Sequence, residues 1–181
     1  MDYEKDTRLA YRDAQKARNY QAQQTTARGW VRFTTLREQL WVKKALRQGL
    51  LTAQERVLDI PCGTGILACV LANFPCRVVA ADISREMMAL APPDYQHPGF
   101  LGFVQADIVQ APFRPQSFSW VISVGLMHRL PENIRKEVLK WISYLSKKHI
   151  IISYSFDSPF QRFKHWLIKK VKPSHKPAPA P

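Results

Sequence analysis

The sequence contains little cysteine. Cys62, Cys69 and Cys76 are the only three among 181 residues, and none forms a Cys-x-x-Cys pair. Disulfide frameworks and structural zinc sites are normally built from paired, closely spaced cysteines. The pattern therefore argues against both, predicts reduced cysteines in the core or in loops, and gives no indication of a metal site.

Long hydrophobic runs are also absent. Apolar runs such as residues 78–81 fall far short of the roughly 20 residues that a membrane-spanning helix needs. The first six residues are polar and of mixed charge, whereas a secretory signal begins with basic residues followed by an apolar stretch. We therefore expect no membrane span and a cytoplasmic protein.

Acidic residues are scarce relative to basic ones. The chain has 14 Asp and Glu against 27 Lys and Arg, which gives a net charge of +13. Such a charge raises affinity for phosphates, acidic substrates or anionic membrane surfaces without selecting among them. The apolar content of 46% is near the globular average, so we expect one compact domain.

Two kinds of periodicity alternate along the chain. Apolar residues at helical spacing predict two or three leading helices with a break at Gly29, and these form a lid over residues 1–50. Strands are then predicted at residues 56–60, 77–81, 101–105, 118–124 and 150–152, and helices at residues 66–73, 84–90 and 131–145. The alternation predicts an α/β fold over residues 51–171, a Rossmann-like doubly wound parallel sheet in the order 3-2-1-4-5.

The end of the chain has a different composition. After Ser158 and Pro159, apolar residues at helical spacing alternate with bases between residues 162 and 172, and a proline-rich tail covers residues 172–181. A basic helical face of this kind can contact anionic lipid, but most charged helix faces are only solvated.

A glycine turn follows the first predicted strand. Gly63 and Gly65 let a ligand lie against bare backbone at the start of the next helix. Asp82 follows about 20 residues later, at the end of the second strand, where a carboxylate can bind both ribose hydroxyls of an adenosine. Because Gly63, Gly65 and Ala68 also satisfy the loose dinucleotide pattern, a nicotinamide or flavin oxidoreductase stays open on the glycines alone.

Two further acids bear on that choice. Asp59 lies beside the loop, where it would repel a pyrophosphate but favour the sulfonium and ammonium charges of S-adenosylmethionine. Asp107 ends the third strand, where it could accept the adenine amino group. Each acid also has a structural interpretation: Asp59 and Asp82 as turn or helix-capping carboxylates, and Asp107 as the opening of the turn before Pro112.

With these motifs, the chain resembles the class I S-adenosylmethionine-dependent methyltransferases over roughly residues 56–154. The likeness is to the small-molecule and lipid branch that includes the ubiquinone and menaquinone biosynthesis methyltransferases. The family's first motif falls on Asp59, Gly63 and Gly65, although Pro61 stands where a glycine is usual. The resemblance implies the following further cofactor contacts: Asp82 with the ribose, Ile83, Asp107 and Ile108 with the adenine, and Val124 within the segment 123–128 after the fourth strand.

The resemblance also suggests residues near the reacting end of the cofactor. An Ala-x-x-Tyr element, here residues 17–20, would place Tyr20 over the methionine end, together with Arg28. A plain amphipathic helix explains both nearly as well. His128 begins the family's substrate pocket, where a neutral imidazole could remove a proton from the acceptor, but an ordinary histidine at a helix start is an equal alternative.

The chain departs from the family pattern at its end. The family normally adds an antiparallel hairpin after the fifth strand and its helix, and that hairpin is missing here, so the sequence is either a fragment, which we favour, or a domain with an open sheet edge. Segment 123–130 also lacks the Asn/Asp-Pro-Pro-aromatic signature that holds a flipped base. We therefore expect a small-molecule or lipid-like acceptor, with a non-catalytic binding module and an RNA methyltransferase as the alternatives.

Overall fold

The computed structural model describes residues 12–25, 30–91, 95 and 98–154 of the chain. Arg28, the basic segment 162–172 and the proline-rich tail 172–181 lie outside the described residues, so the predictions made for them stay predictions. Within the described ranges, no helix combines the length and the apolar character needed to cross a membrane.

The centre of the fold is a five-stranded sheet in which all neighbouring strands are parallel. The strands are β1 (Arg56–Asp59), β2 (Arg77–Asp82), β3 (Phe100–Gln105), β4 (Phe118–Ser123) and β5 (Ser146–Ile152). Their order is β3-β2-β1-β4-β5, as predicted. The strand order reverses between β1 and β4, and at such a point the loops after two neighbouring strands diverge and leave a crevice.

Among the described residues, five α-helices surround or precede the sheet. They are α1 (Ala14–Thr25), α2 (Trp30–Gln48), α3 (Ala68–Leu71), α4 (Arg85–Met88) and α5 (Glu132–Leu145). Ser84 caps α4 as predicted, because its hydroxyl accepts a hydrogen bond of 3.1 Å from the Met87 amide. The helix predicted over residues 66–73 is shorter, since the chain turns through residues 63–67 before α3 begins.

Two apolar clusters cover the two faces of the sheet. One packs Leu46 of α2 and Leu71 of α3 against Val57 and Val78. The other packs Ile142 of α5 against Leu58 and further residues of the central strands. Val57 and Leu58 of β1 are buried on opposite faces of the sheet, Arg56 is exposed at the start of the strand, and the one acid of β1, Asp59, lies buried at its carboxyl end.

Candidate functional site

A cleft opens at the carboxyl ends of β1, β2 and β4. Its walls come from the loop after β1, the end of β2 with α4, the segment after β4, and α1. The cleft is lined by Tyr20, Asp59, Pro61, Cys62, Gly63, Thr64, Ile66, Leu67, Asp82, Ile83, Ser84, Met87, Val124, Gly125, Leu126 and Arg129. It therefore occupies the crevice that the reversal of strand order leaves.

The loop after β1 turns on the two predicted glycines. Gly63 has φ +54° and Gly65 has φ +80°, a left-handed conformation that glycine adopts without steric cost. Backbone hydrogen bonds fix the turn: the Cys62 amide donates to the Ala81 carbonyl at 2.8 Å, and the Gly65 amide donates to the Cys62 carbonyl at 2.9 Å. The loop is thereby tied to β2, and Gly63 lines the cleft while Gly65 shapes the turn beside it.

Asp82 connects the glycine loop to the end of β2. One carboxylate oxygen accepts from the Gly63 amide at 2.7 Å, and the other accepts from the Ser84 amide at 2.8 Å. Burial raises the pKa of this carboxyl, while the backbone donors Ser84, Gly63 and Ile83 act in the opposite direction. Since an ionised carboxylate offers about four acceptor positions, Asp82 can hold the loop and still accept from a ligand in the cleft.

Asp59 is the most deeply buried acid of the cleft. It is 1% exposed, and its carboxylate accepts a hydrogen bond from the hydroxyl of Tyr95. Burial raises the pKa of Asp59 to about 7, opposed by the Tyr95 hydrogen bond and assisted by the charge of Asp82. A carboxylate that is costly to ionise in isolation becomes favourable to ionise beside a cation, so this end of the cleft suits a cationic group.

The wall formed by the segment after β4 carries a cation. Arg129 follows β4 in the 3₁₀ turn Met127–Arg129, and its guanidinium lies 5.3 Å from the centre of the Tyr20 ring. Behind this wall, the Gly125 amide donates to the Ser153 hydroxyl at 2.8 Å. Arg129 and Tyr20 join α1 to the segment after β4, so the lining of the cleft includes two acids and one base.

Several predicted site residues do not line the cleft. Asp107 is an N-cap: its carboxylate accepts from the Val109 amide at 3.1 Å and begins the 3₁₀ turn Ile108–Gln110, which agrees with its structural interpretation. His128 is half-buried, and burial followed by the charge of Arg129 lowers its pKa. Its imidazole is therefore neutral near pH 7. The adenine contacts of Asp107 and Ile108 and the base role of His128 stay predictions.

Sequence reasoning missed several residues of this region. Arg129 and Met87 line the cleft, and Tyr95 contacts Asp59 from a position 36 residues further along the chain. Arg129 lies next to His128 in a segment that had already been singled out, so its charge was a usable signal. Tyr95 carried none, because its contact depends on the path of the chain between β2 and β3.

The described residues contain no group of three or more His, Cys, Asp or Glu side chains that could hold a metal ion. The three cysteines are thiols in different surroundings. Cys62 is buried at the cleft, and burial raises its pKa well above the ordinary value. Cys69 is exposed on α3, with its sulfur 3.5 Å from the Gln39 amide nitrogen of α2.

Comparison with known proteins places this geometry in a family. A family model described as a methyltransferase domain matches residues 57–149, about half of the chain. The chain is 38% identical over 142 residues to a demethylmenaquinone methyltransferase of Clavibacter sepedonicus, covering 76% of this chain and 57% of the relative. It is 27% identical over 138 residues to a 2-phytyl-1,4-naphtoquinone methyltransferase of Thermosynechococcus vestitus, covering 72% of this chain and 61% of the relative.

A solved structure shares the fold at low sequence identity. Magnesium protoporphyrin IX methyltransferase of Synechocystis PCC 6803, with bound S-adenosylhomocysteine, superposes with a TM-score of 0.74 at 18% identity, over 96% of this chain and 80% of that one. The chain thus spans somewhat more than half the length of the curated relatives it matches.

Proposed function

The chain belongs to the methyltransferase-domain family, and from that premise we propose that it is an S-adenosylmethionine-dependent methyltransferase acting on a small or lipid-like acceptor of the quinone type. The observation that carries the proposal is the pairing of Asp59 and Asp82 around one glycine loop in one mostly apolar cleft. The names of the two quinone-methylating relatives support the acceptor class.

The cleft residues fit this cofactor. Asp82 retains acceptor positions for the ribose hydroxyls, and Ile83 and Met87 offer apolar surface beside them. Asp59, buried and near its midpoint of ionisation at pH 7, matches the positive charges at the sulfonium and amino groups. A pyrophosphate in the same place would face two buried carboxyls, which argues against a dinucleotide and hence against the oxidoreductase alternative. Tyr20 and Arg129, which contact each other, complete the lining.

In the proposed mechanism, the main role of the protein is to orient the acceptor relative to the cofactor. The cofactor supplies a methyl group on positively charged sulfur, which is an intrinsically good electrophile. The apolar wall of Val124 and Leu126 excludes water and orients the acceptor, an effect that can supply much of the rate enhancement. A neutral imidazole at His128 could take the acceptor's hydroxyl proton where one must leave, in a complex where the side chain reaches the cleft.

The proposal includes the surroundings of the enzyme. We propose a cytoplasmic protein that contacts an anionic membrane surface peripherally, since its substrate class partitions into lipid and its net charge is +13. Nucleic acid is not expected as the acceptor, because the base-holding signature is missing after β4.

Methyl transfer from labelled cofactor tests the function. The full chain is incubated with S-adenosylmethionine carrying a labelled methyl group and, separately, with a lipid extract and an RNA extract. Label in the lipid fraction is the expected result. Label confined to RNA would replace the acceptor class, and label in neither fraction, with cofactor binding intact, would favour a binding module without transferase activity.

Substitution of Asp82 tests the cofactor site. Asp82→Ala is expected to weaken S-adenosylhomocysteine binding by roughly 1.5–3 kcal/mol, the range for a hydrogen bond to a charged group. Calorimetry measures the affinity, and Glu137→Ala on the exposed face of α5 is the matched control. Because Asp82 also holds the Gly63 and Ser84 amides, a thermal melt of each variant is recorded first. Unchanged affinity in folded Asp82→Ala, or tighter binding of NAD than of S-adenosylhomocysteine, contradicts the assignment.

A further inference from the structure

Helix α2 has two faces of different character. Its inner face is buried, with Thr35, Val42 and Leu46 packed against the domain. Its opposite face exposes large apolar side chains: Phe33 is 49% exposed, Leu36 47%, Leu40 66% and Trp41 60%. Single exposed apolar residues are ordinary, but four on one helix indicate a surface that meets something other than water.

These side chains form one continuous stripe with basic residues. Positions three and four apart lie on the same face of a helix. We define the outer face of α2 by seven exposed apolar and basic residues on this side of the helix: Phe33, Leu36, Arg37, Leu40, Trp41, Lys44 and Arg47. The Arg37 guanidinium lies 5.7 Å from the centre of the Phe33 ring, and the Lys44 ammonium lies 5.2 Å from that of Trp41.

The outer face carries positive charge alone. The one acid of α2, Glu38, lies off this face, where it is half-buried and hydrogen-bonded to Ser153 near the Arg129 charge. Long basic side chains can lay their methylene stems along apolar surface while their charged ends remain in water or at a polar boundary. The outer face therefore presents apolar groups bordered by cations.

We propose that the outer face of α2 is the surface by which this protein docks on an anionic lipid bilayer. The aromatic and leucine side chains would insert at the boundary between headgroups and acyl chains, and the basic side chains would contact the anionic headgroups. An anionic bilayer therefore matches both the apolar and the basic residues of the face. A second copy would set an equally basic face against this one. RNA would neutralise the bases but leave Leu36 and Leu40 without apolar contact.

The inner face of the same helix connects this surface to the cleft. The Gln39 side-chain amide donates to the Ile66 carbonyl at 2.5 Å, and Ile66 lines the cleft. A bilayer on the outer face would lie about one helix diameter, roughly 10 Å, from the cleft wall. The proposal rests on the membrane contact of the proposed function but not on its methyl-transfer step, so each can fail without the other.

Vesicle co-sedimentation with the full chain tests the docking surface. The probe is a vesicle of equal parts phosphatidylglycerol and phosphatidylcholine, compared with phosphatidylcholine alone. Binding is expected to the anionic vesicle, to weaken with added salt, and to fall at least about tenfold in Leu40→Ser/Trp41→Ser because inserted apolar area is lost. The matched control, Leu139→Ser/Tyr144→Ser, removes two large apolar residues from α5 that are 43% and 48% exposed, and it should bind as wild type.

A charge-reversal pair covers the case in which the first variant fails to fold. Lys44→Glu/Arg47→Glu should weaken binding by roughly fivefold or more for each base, against little change in Lys136→Glu/Lys140→Glu on α5. Equal binding of wild type and either α2 variant overturns the proposal. Equal binding of the wild type to both vesicle types also overturns it. The same holds if added RNA displaces the protein from the vesicles, or if the protein self-associates and substitution in α2 abolishes that association. Calorimetry with S-adenosylhomocysteine on the same variants reports the cofactor site separately, and unchanged affinity there is expected.

Discussion

Asp59 is the residue at which stability and ligand binding oppose each other. Its carboxyl is buried at the end of β1, where ionisation is costly and the pKa is about 7. The folded protein without ligand therefore keeps a proton on Asp59, which the unfolded chain would release near the ordinary pKa of 3.8. A cationic ligand removes that cost, so we expect cofactor binding to strengthen as pH rises through about 7 and to release a proton.

Asp59→Asn should stabilise the ligand-free protein at alkaline pH. Because the folded state of wild type binds the extra proton between about pH 4 and pH 7, its free energy of unfolding falls through that window and is lowest above it. The variant has no carboxyl group to titrate at this position, so it does not lose stability in this way as the pH rises. Its stability relative to wild type should rise by roughly 2–3 kcal/mol between pH 5 and pH 8, as measured by urea denaturation. Its affinity for S-adenosylmethionine should fall at pH 8.

Glu137→Gln is the matched control for this substitution, since its side chain is exposed on α5 and should give the same difference at both pH values. An Asp59→Asn advantage that does not change between pH 5 and pH 8 would mean that Asp59 is ionised in the folded protein without ligand.

The predictable residues of the site are those set by local sequence. Asp59 and Asp82 each end a strand and Gly63 follows β1 closely, so the strand pattern alone predicts that they lie at one edge of the sheet. Tyr95 could not be inferred in this way, because its contact with Asp59 depends on the path that the chain takes between β2 and β3. For Asp107, local sequence allowed both a cap and a ligand contact. The carboxylate of Asp107 accepts a hydrogen bond from the Val109 amide, and this contact is the cap.

At the scale of elements, the end of α2 is fitted tightly to the sheet. A Cβ built on Gly49 would lie 2.2 Å from Trp120 Cη2, closer than any tolerated contact. The indole has little room to withdraw, since it stacks on His149 with ring centres 4.0 Å apart and its nitrogen lies 3.4 Å from the Glu55 carboxylate. Glycine at this position is therefore a packing requirement of the α2–β4 contact.

Gly49→Ala should destabilise the fold by about 1–3 kcal/mol through overpacking. Urea denaturation measures the loss, and the comparison is with the same substitution in a Trp120→Leu background, where the clashing ring is absent. The penalty should shrink markedly in that background. An equal penalty in both would show that the clash with the indole is not its source.

Element boundaries were less predictable than element identities. The pattern predicted strand and helix alternation correctly, yet β5 begins at Ser146, four residues before the predicted Ile150. Lys147 and Lys148 interrupt the apolar pattern by which the strand was recognised, because charged side chains at the edge of the described sheet need not alternate with apolar ones. Lys148 instead forms an ion pair with Glu55 at 2.9 Å, a contact between residues 93 positions apart.

For the molecule as a whole, the sheet order predicts a gradient of local stability. β1 pairs on both sides, whereas within the described ranges β3 pairs only with β2 and β5 only with β4. Hydrogen exchange measured by mass spectrometry should find the amides of β1 and β4 the slowest, because they open only on global unfolding, with β3, β5 and α1 faster. Slower exchange in β3 than in β1 would be incompatible with this order.

The whole-molecule prediction from sequence was the most successful. Strand order 3-2-1-4-5, parallel pairing and the family are all confirmed. These follow from alternating periodicity and a few motifs, and so do not depend on individual contacts. The lid over residues 1–50 and the missing hairpin are different, since they concern parts of the chain that no local motif defines, and both stay predictions.

The three thiols lie in different surroundings, so an alkylating reagent should modify one of them selectively. Cys62 is buried with its pKa raised well above the ordinary value, and burial raises the pKa of Cys76 to about 11, so both are poor nucleophiles at neutral pH. Cys69 is exposed. A maleimide fluorophore should therefore attach to one site on α3 without mutagenesis, beside Gln39 of α2. Such a label would report movement of α2 relative to the glycine loop.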